Sequence, residues 1–285
     1  MLIFDRTDEK NPDTPRGAQA SAAPSAVRAI ETEQLSKEME RDSQPLQVLH
    51  DVNFHAEEGE FVSIIGPSGC GKSTLLNIIA GLDSPTSGSV ALHGSRSRPR
   101  LGSVGYMQQK DLLMPWRSVL DNAVLGLELQ GMSKREAGER ARQHLGRFGL
   151  EGFENAYPYE LSGGMRQRAA FLRTVLADQE VFLLDEPFGA LDALNRTQIH
   201  QWITGLWESM QKTIILVTHD VDEAILLSDR VYVMTARPGR MKMVQNVDLA
   251  RPRSMDVFST PKFMALKSAL LTSIREEAGP GDMRP

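Results

Sequence analysis

Residues 61–74 read Phe61-Val62-Ser63-Ile64-Ile65-Gly66-Pro67-Ser68-Gly69-Cys70-Gly71-Lys72-Ser73-Thr74. A short, mostly apolar run ends at glycine, the pattern of a buried strand. Gly66 to Ser73 then fits G-x-x-x-x-G-K-S. Glycines let successive backbone N–H groups turn inward around phosphates, and a helix opening near Lys72 adds its positive end. Lys72 brings a mobile cation to the terminal phosphates, and Ser73 brings a hydroxyl to Mg²⁺. Lys72 to Ala80 reads as that helix, stopped by Gly81. Strand, loop and helix in this order predict a phosphate-binding α/β fold.

Further along, Val181-Phe182-Leu183-Leu184 is a fully apolar strand with Asp185-Glu186 at its end. Ligands of open α/β sheets bind at the carboxyl ends of strands. Asp185 there can hold Mg²⁺, and Glu186 can polarise the water that attacks a γ-phosphate. His219 follows another apolar run, Ile214-Ile215-Leu216-Val217, and so faces the same ligand. Its imidazole suits contact with the γ-phosphate and alignment of the attacking water. Leu161-Ser162-Gly163-Gly164-Met165 lies between the loop and the acidic pair. A second Ser-Gly-Gly suggests a nucleotide held between two protein surfaces.

Bulk properties narrow the class. The chain has 285 residues, a net charge of −5 and a single cysteine, Cys70. Its pI of about 5.8 gives no reason to expect a nucleic-acid-binding surface. One cysteine excludes an internal disulfide and fits a reducing compartment. Inside the loop, Cys70 is either a small space-filling residue or a thiol activated by the helix N-terminus. No apolar run approaches the roughly 20 residues that span a bilayer. The start of the chain lacks the pattern of a signal peptide, so the expected location is the cytosol, with any membrane work done by docking on another protein.

Residues 1–28 are rich in Ala, Pro, Ser, Asp and Arg and read as a disordered tail. Residues 29–41 give no clear pattern, Asp42-Ser43-Gln44-Pro45 reads as a hairpin tip or loop, and Leu46–Asn53 as a strand. Strands are expected at Ser103–Met107, Val181–Leu184, Thr213–Val217 and Arg230–Met234. Helical patterns at about 192–210 and 220–228 separate the later ones. Alternating strands and helices imply a mainly parallel sheet covered on both faces. Residues 117–178 read as a mostly helical insertion with breaks at Gly131, Gly149 and Pro158, and a last helix is expected from Pro261 to about Glu277.

GPSGCGKST, Gln109, LSGGM, LLDEP with Ala190-Leu191-Asp192, and Thr218-His219-Asp220 stand in this order. Together they closely resemble the ATPase subunit of ABC transporters over about residues 30–250. That resemblance implies a phosphate-loop core with a mainly parallel sheet, an antiparallel β part and a helical subdomain at about 110–178. The ATPase domain would occupy residues 29–250, with 251–285 as a C-terminal tail. It also implies a head-to-tail homodimer closing on two ATP molecules with Mg²⁺. Each ATP would meet one subunit's Gly66, Pro67, Ser68, Gly69, Cys70, Gly71, Lys72, Ser73 and Thr74, and the partner's Ser162, Gly163 and Gly164. The physics agrees, because Ser162 is a good cap for a helix starting near Gly163, whose N-terminus favours phosphate.

By the same resemblance Gln109, with Gln108 as the other candidate, senses Mg²⁺ and the γ-phosphate. Asp192 helps each subunit read the other's occupancy, and Leu112-Leu113-Met114-Pro115-Trp116 meets a membrane subunit. Two positions depart from the family pattern. Met165 stands where many members have glutamine. Ser36-Lys37 is followed by Glu38-Met39 rather than an aromatic adenine platform, which predicts weak discrimination between ATP and GTP.

Separate ATPase and membrane chains favour an importer, and residues 109–122 and 183–192 look like importers of nitrate, sulfonate, taurine or pyrimidine precursors. The implied partners are transmembrane permease subunits at the cytoplasmic face of the membrane and, indirectly, a solute-binding protein. A soluble ABC-type ATPase acting on ribosomes or DNA is the alternative. It usually carries two ATPase units or a long coiled-coil insertion, neither of which is present here. A simple phosphate-loop kinase would leave the second Ser-Gly-Gly without a use.

Overall fold

The computed structural model describes residues 27–189, 200, 203–205, 207 and 211–277. The expected N-terminal tail up to residue 26, Asp192 and most of the helix expected at about 192–210 lie outside these residues. The first two strands, β1 (Arg28–Arg41) and β2 (Gln44–Glu57), form an antiparallel hairpin. Its tip is Asp42-Ser43, with φ of 53° and 59°, the left-handed pair that two-residue hairpin turns require. Next come β3 (Phe61–Ile65), α1 (Lys72–Ala80), β4 (Ser87–Leu92) and β5 (Gly105–Met107). β4 joins the hairpin to complete a three-stranded antiparallel sheet in the order β2-β1-β4.

The helical block contains α2 (Val119–Ala123), α3 (Leu125–Leu129), α4 (Lys134–Leu145) and α5 (Gly163–Leu176). It is followed by β6 (Val181–Asp185), β7 (Thr213–Val217), α6 (Val221–Leu227), β8 (Arg230–Met234), β9 (Met241–Asn246) and α7 (Pro261–Arg275). The second sheet has the order β5-β6-β7-β3-β8-β9. Its first four pairings are parallel and β8-β9 is antiparallel.

The central strands are apolar along their length because both faces are covered. On β6, Val181 and Leu183 enter one buried cluster, while Phe182 and Leu184 enter another. β7 divides likewise, with Ile215 and Val217 opposed to Ile214 and Leu216. The two-residue period of a strand sends alternate side chains to opposite faces. One face shares its cluster with Leu75 and Ile78 of α1 and with Ile30 and Phe54 of the small sheet. The other packs with the helical block through Leu172 of α5 and Leu127 of α3. Burying each such side chain contributes about 1.5–3 kcal/mol.

α7 joins a third cluster through Phe263 and Leu270, beside Val231 and Val233 of β8 and Ile225 of α6. The C-terminal segment therefore builds part of the core over β8. The sequence reading of residues 29–41 as patternless, and its silence on β4 and β9, are corrected here. All three are real strands, and β1 pairs on both sides with several register shifts that interrupt its alternation.

Candidate active site

The phosphate loop connects the end of β3 to α1. Gly71 precedes α1 with φ of 109°, and a Cβ there would lie 2.7 Å from Leu49 Cδ2, so glycine is required. No side chain caps α1, and its first turn holds no acidic residue. Its first-turn N–H groups and positive end are thus left for an anion. Lys72 is buried, and its Nζ donates to the carbonyls of Gly66 (2.8 Å) and Pro67 (2.9 Å). Cys70 is 1% exposed and belongs to the core cluster beneath the loop. That enclosure is the setting of a space-filling thiol, since reactive cysteines are partly accessible. What Cys70 offers a ligand is its backbone.

Asp185, at the end of β6, is 3% exposed and hydrogen-bonds the Ser73 hydroxyl. Burial pushes its carboxyl above the ordinary aspartate range. The Ser73 hydrogen bond and Lys72 oppose that shift, while the charge of Glu186 adds to it. A hydroxyl joined to a buried carboxylate is an oxygen pair suited to Mg²⁺. Glu186 follows with φ of 47°, a strained backbone of the kind found at functional sites. Its Oε2 accepts from Gln109 Nε2 at 3.1 Å and lies 3.5 Å from His219 Nδ1.

Met39, Leu46, Val48, Ser68, Gly69, Gly71, Lys72, Ser73, Thr74, Gln109, Glu186 and Arg237 line a cleft of about 320 Å³. None of these side chains is aromatic, and Met39, 40% exposed, forms the apolar edge with Leu46 and Val48. Of the expected residues, Ser73, Gln109 and Glu186 line this cleft, Asp185 lies beside Ser73, and His219 lies beside Glu186 without lining the cleft.

Ser162, Gly163 and Gly164 do not line the cleft. They begin α5, where the Ser162 side chain caps the helix by accepting from Met165 N at 3.2 Å. Ser162 and Gly163 are exposed, while Met165 packs against the core. That packing accounts for an apolar residue at position 165. A Cβ at Gly163 would have only the end of Arg166 nearby, at 3.8 Å.

The segment after Gln109 is fastened to α5. Arg173 donates to the carbonyls of Asp111 and Leu112, both at 2.7 Å, and Arg166 Nε donates to Asp111 Oδ2 at 3.2 Å. Asn122 braces the far side through Met114 N, Met114 O and Arg117 O. Leu113 is buried, whereas Leu112 is 51% and Trp116 72% exposed. The sequence offered no signal for these arginine ties, nor for Arg237, because each joins positions far apart along the chain.

Residues 49–189 match the family described as ABC transporter. The formylaminopyrimidine import ATP-binding protein ThiZ of Halalkalibacterium halodurans is 44% identical over 80% of this chain and 88% of its own length. The chain belongs to the ABC transporter ATP-binding proteins. The aliphatic sulfonates import ATP-binding protein SsuB of Bacillus cereus is 43% identical to this ABC protein, over 77% of this chain and 86% of its own. A solved ABC cassette, a dimer in a post-hydrolysis state bound to ADP and Pi, shares the fold with a TM-score of 0.70 and 32% identity. That alignment covers 78% of this chain and 100% of the other.

Proposed function

We propose that this chain is the ATP-hydrolysing subunit of an ABC importer, powering uptake of a small solute through separate permease subunits. One observation carries the reading. Gln109 and Glu186 line the cleft at the phosphate loop with Asp185 beside Ser73 and His219 beside Glu186, while Ser162 and Gly163 stand exposed at another helix end. Half of a composite site is complete in one chain, and the other half is presented outward for a second copy arranged head to tail.

In this reading ATP lies in the cleft with its base against Met39, Leu46 and Val48. Loop amides and Lys72 hold the phosphates. Ser73 and Asp185 would hold Mg²⁺, aided by Gln109, and the ion would neutralise charge on the phosphate oxygens. Glu186 accepts the proton of the attacking water, and His219 holds that water in line. The partner's signature helix closes over the γ-phosphate.

Exposed Leu112, Pro115 and Trp116 form the docking face for a permease subunit. No helix among the described residues is long and apolar enough to cross a membrane; the proposed association with the cytoplasmic face runs through that dock. The pyrimidine and sulfonate relatives are almost equally similar to this chain. Cargo choice is accordingly assigned to the membrane and solute-binding subunits.

The test is Glu186→Gln. The variant should bind ATP normally, hydrolyse it about 10²–10⁴-fold more slowly and accumulate as an ATP-bound dimer in size-exclusion chromatography. Turnover near the wild-type rate would remove Glu186 from the role of base.

A further inference from the structure

Arg237 lies in the loop between β8 and β9 and lines the same cleft. Its Nε and Nη2 donate to one acceptor, the Gly69 carbonyl at the crest of the phosphate loop, at 3.1 and 2.7 Å. The side chain is exposed and makes no ion pair with a carboxylate among the described residues. A guanidinium carries five N–H donors in a rigid fork, so most of its hydrogen-bonding capacity is unused.

The loop that carries Arg237 is held from two sides. Gly239 N donates to Val48 O at 2.9 Å, and His50 N donates to Gly239 O at 3.0 Å. On the other side Ala236 N donates to Glu277 Oε2 at 3.2 Å, and Glu277 pairs with Lys242 at 2.8 Å. β2 and the end of the C-terminal segment thereby fix the backbone on either side of Arg237. Two cations, Lys72 and Arg237, thus rest on carbonyls of a single anion-binding loop. One is buried and the other stands on its open side.

We propose that Arg237 is a second nucleotide-binding cation, which turns its free donors to the phosphate chain of the bound nucleotide. Guanidinium geometry suits phosphate oxygens, and the fixed loop backbone limits the ordering cost. The inference rests on the reading of the cleft as the nucleotide site.

Calorimetric titration of the full chain with Mg²⁺ and the β,γ-imido analogue of ATP, with ADP and with AMP tests it. Arg237→Gln should weaken the triphosphate about tenfold, as expected for loss of a charge-assisted contact. ADP should lose less and AMP almost nothing. Arg237→Lys, which keeps the charge, should recover most of the loss and keeps the question answerable if the glutamine variant does not fold. Unchanged triphosphate affinity, or an equal loss for all three ligands, overturns the proposal. Lys72→Ala separates the two readings. If it too leaves the triphosphate affinity unchanged, the cleft is not the nucleotide site and the functional reading falls as well. If only Lys72→Ala weakens binding, Arg237 alone is excluded.

Discussion

The molecule presents two helix N-termini of opposite character. α1 starts behind the phosphate loop with no capping side chain and no acidic residue in its first turn. α5 starts at the surface with Ser162 already accepting from Met165 N. The first leaves its positive end unanswered and surrounds it with Lys72, Asp185 and Glu186. The second is capped at rest and presents an exposed Gly163 with only the end of Arg166 near its Cβ position. A helix end built to hold an anion alone is left uncapped inside a cleft. One proposed to complete another chain's site can be capped and still accept a phosphate delivered from outside.

Gly163→Asp is the strongest attack on this contrast. An acidic residue in the first turn suits a helix N-terminus, and a Cβ there makes only an ordinary contact with the end of Arg166, so folding should be unharmed. The same charge would oppose the partner's γ-phosphate. ATP-driven dimerisation and turnover should fall by about 10²-fold, as when a positioned transition-state donor is removed. Single-chain nucleotide affinity should stay within about twofold, since the signature is not part of that chain's own cleft. Loss of both properties in a binding assay would show that the two helix ends do not act separately.

The pH dependence of Mg²⁺ binding probes the enclosed end. Burial raises the Asp185 pKa, so the carboxylate form proposed to hold Mg²⁺ is lost at a higher pH than for an ordinary aspartate. Mg²⁺-dependent ATP affinity should fall as pH drops toward that raised value, and Asp185→Asn should flatten the dependence. The sign for stability is opposite. A carboxyl raised in the folded state contributes stability that is fully present below the unfolded pKa and lost as pH rises through the folded value. Without Mg²⁺, melting curves of the wild type against Asp185→Asn should show that loss only in the wild type.

The smallest effect concerns the base. With Met39 at the apolar edge, wild-type affinities for ATP and GTP should agree within about threefold. Met39→Tyr should tighten ATP binding by about two- to tenfold, the range of an aromatic stacking contact. A strict ATP preference in the unaltered chain, measured by competition, would place base recognition elsewhere.

The two ends were not equally legible in the sequence. β3, the loop and α1 are local, and their boundaries follow from an apolar run, glycines and the stop at Gly81. β6, β7 and β8 were readable because strands buried on both faces are continuously apolar. β1 hid its pattern, because register shifts between Thr32 and Leu35 and between Leu35 and Lys37 break the two-residue period. β9 lies at the sheet edge, and its half-exposed residues give little contrast between faces. At the site, Asp185, Glu186 and His219 were legible from strand ends. The ties from Arg173 to Asp111 and from Arg237 to Gly69 span 62 and 168 positions, beyond the reach of any local pattern.

The fastening of Asp111 and Leu112 to Arg166 and Arg173 also dictates how this chain can be recombined with its relatives. A chimaera with one crossover between residues 112 and 166 would take the two halves of that fastening from different parents. The glutamine segment would then be mounted on a foreign helix. Crossovers placed before Gln108 and after Asp178 would transplant it whole, carrying Gln109, the exposed Trp116 face and the Ser162 helix end as a single exchangeable block.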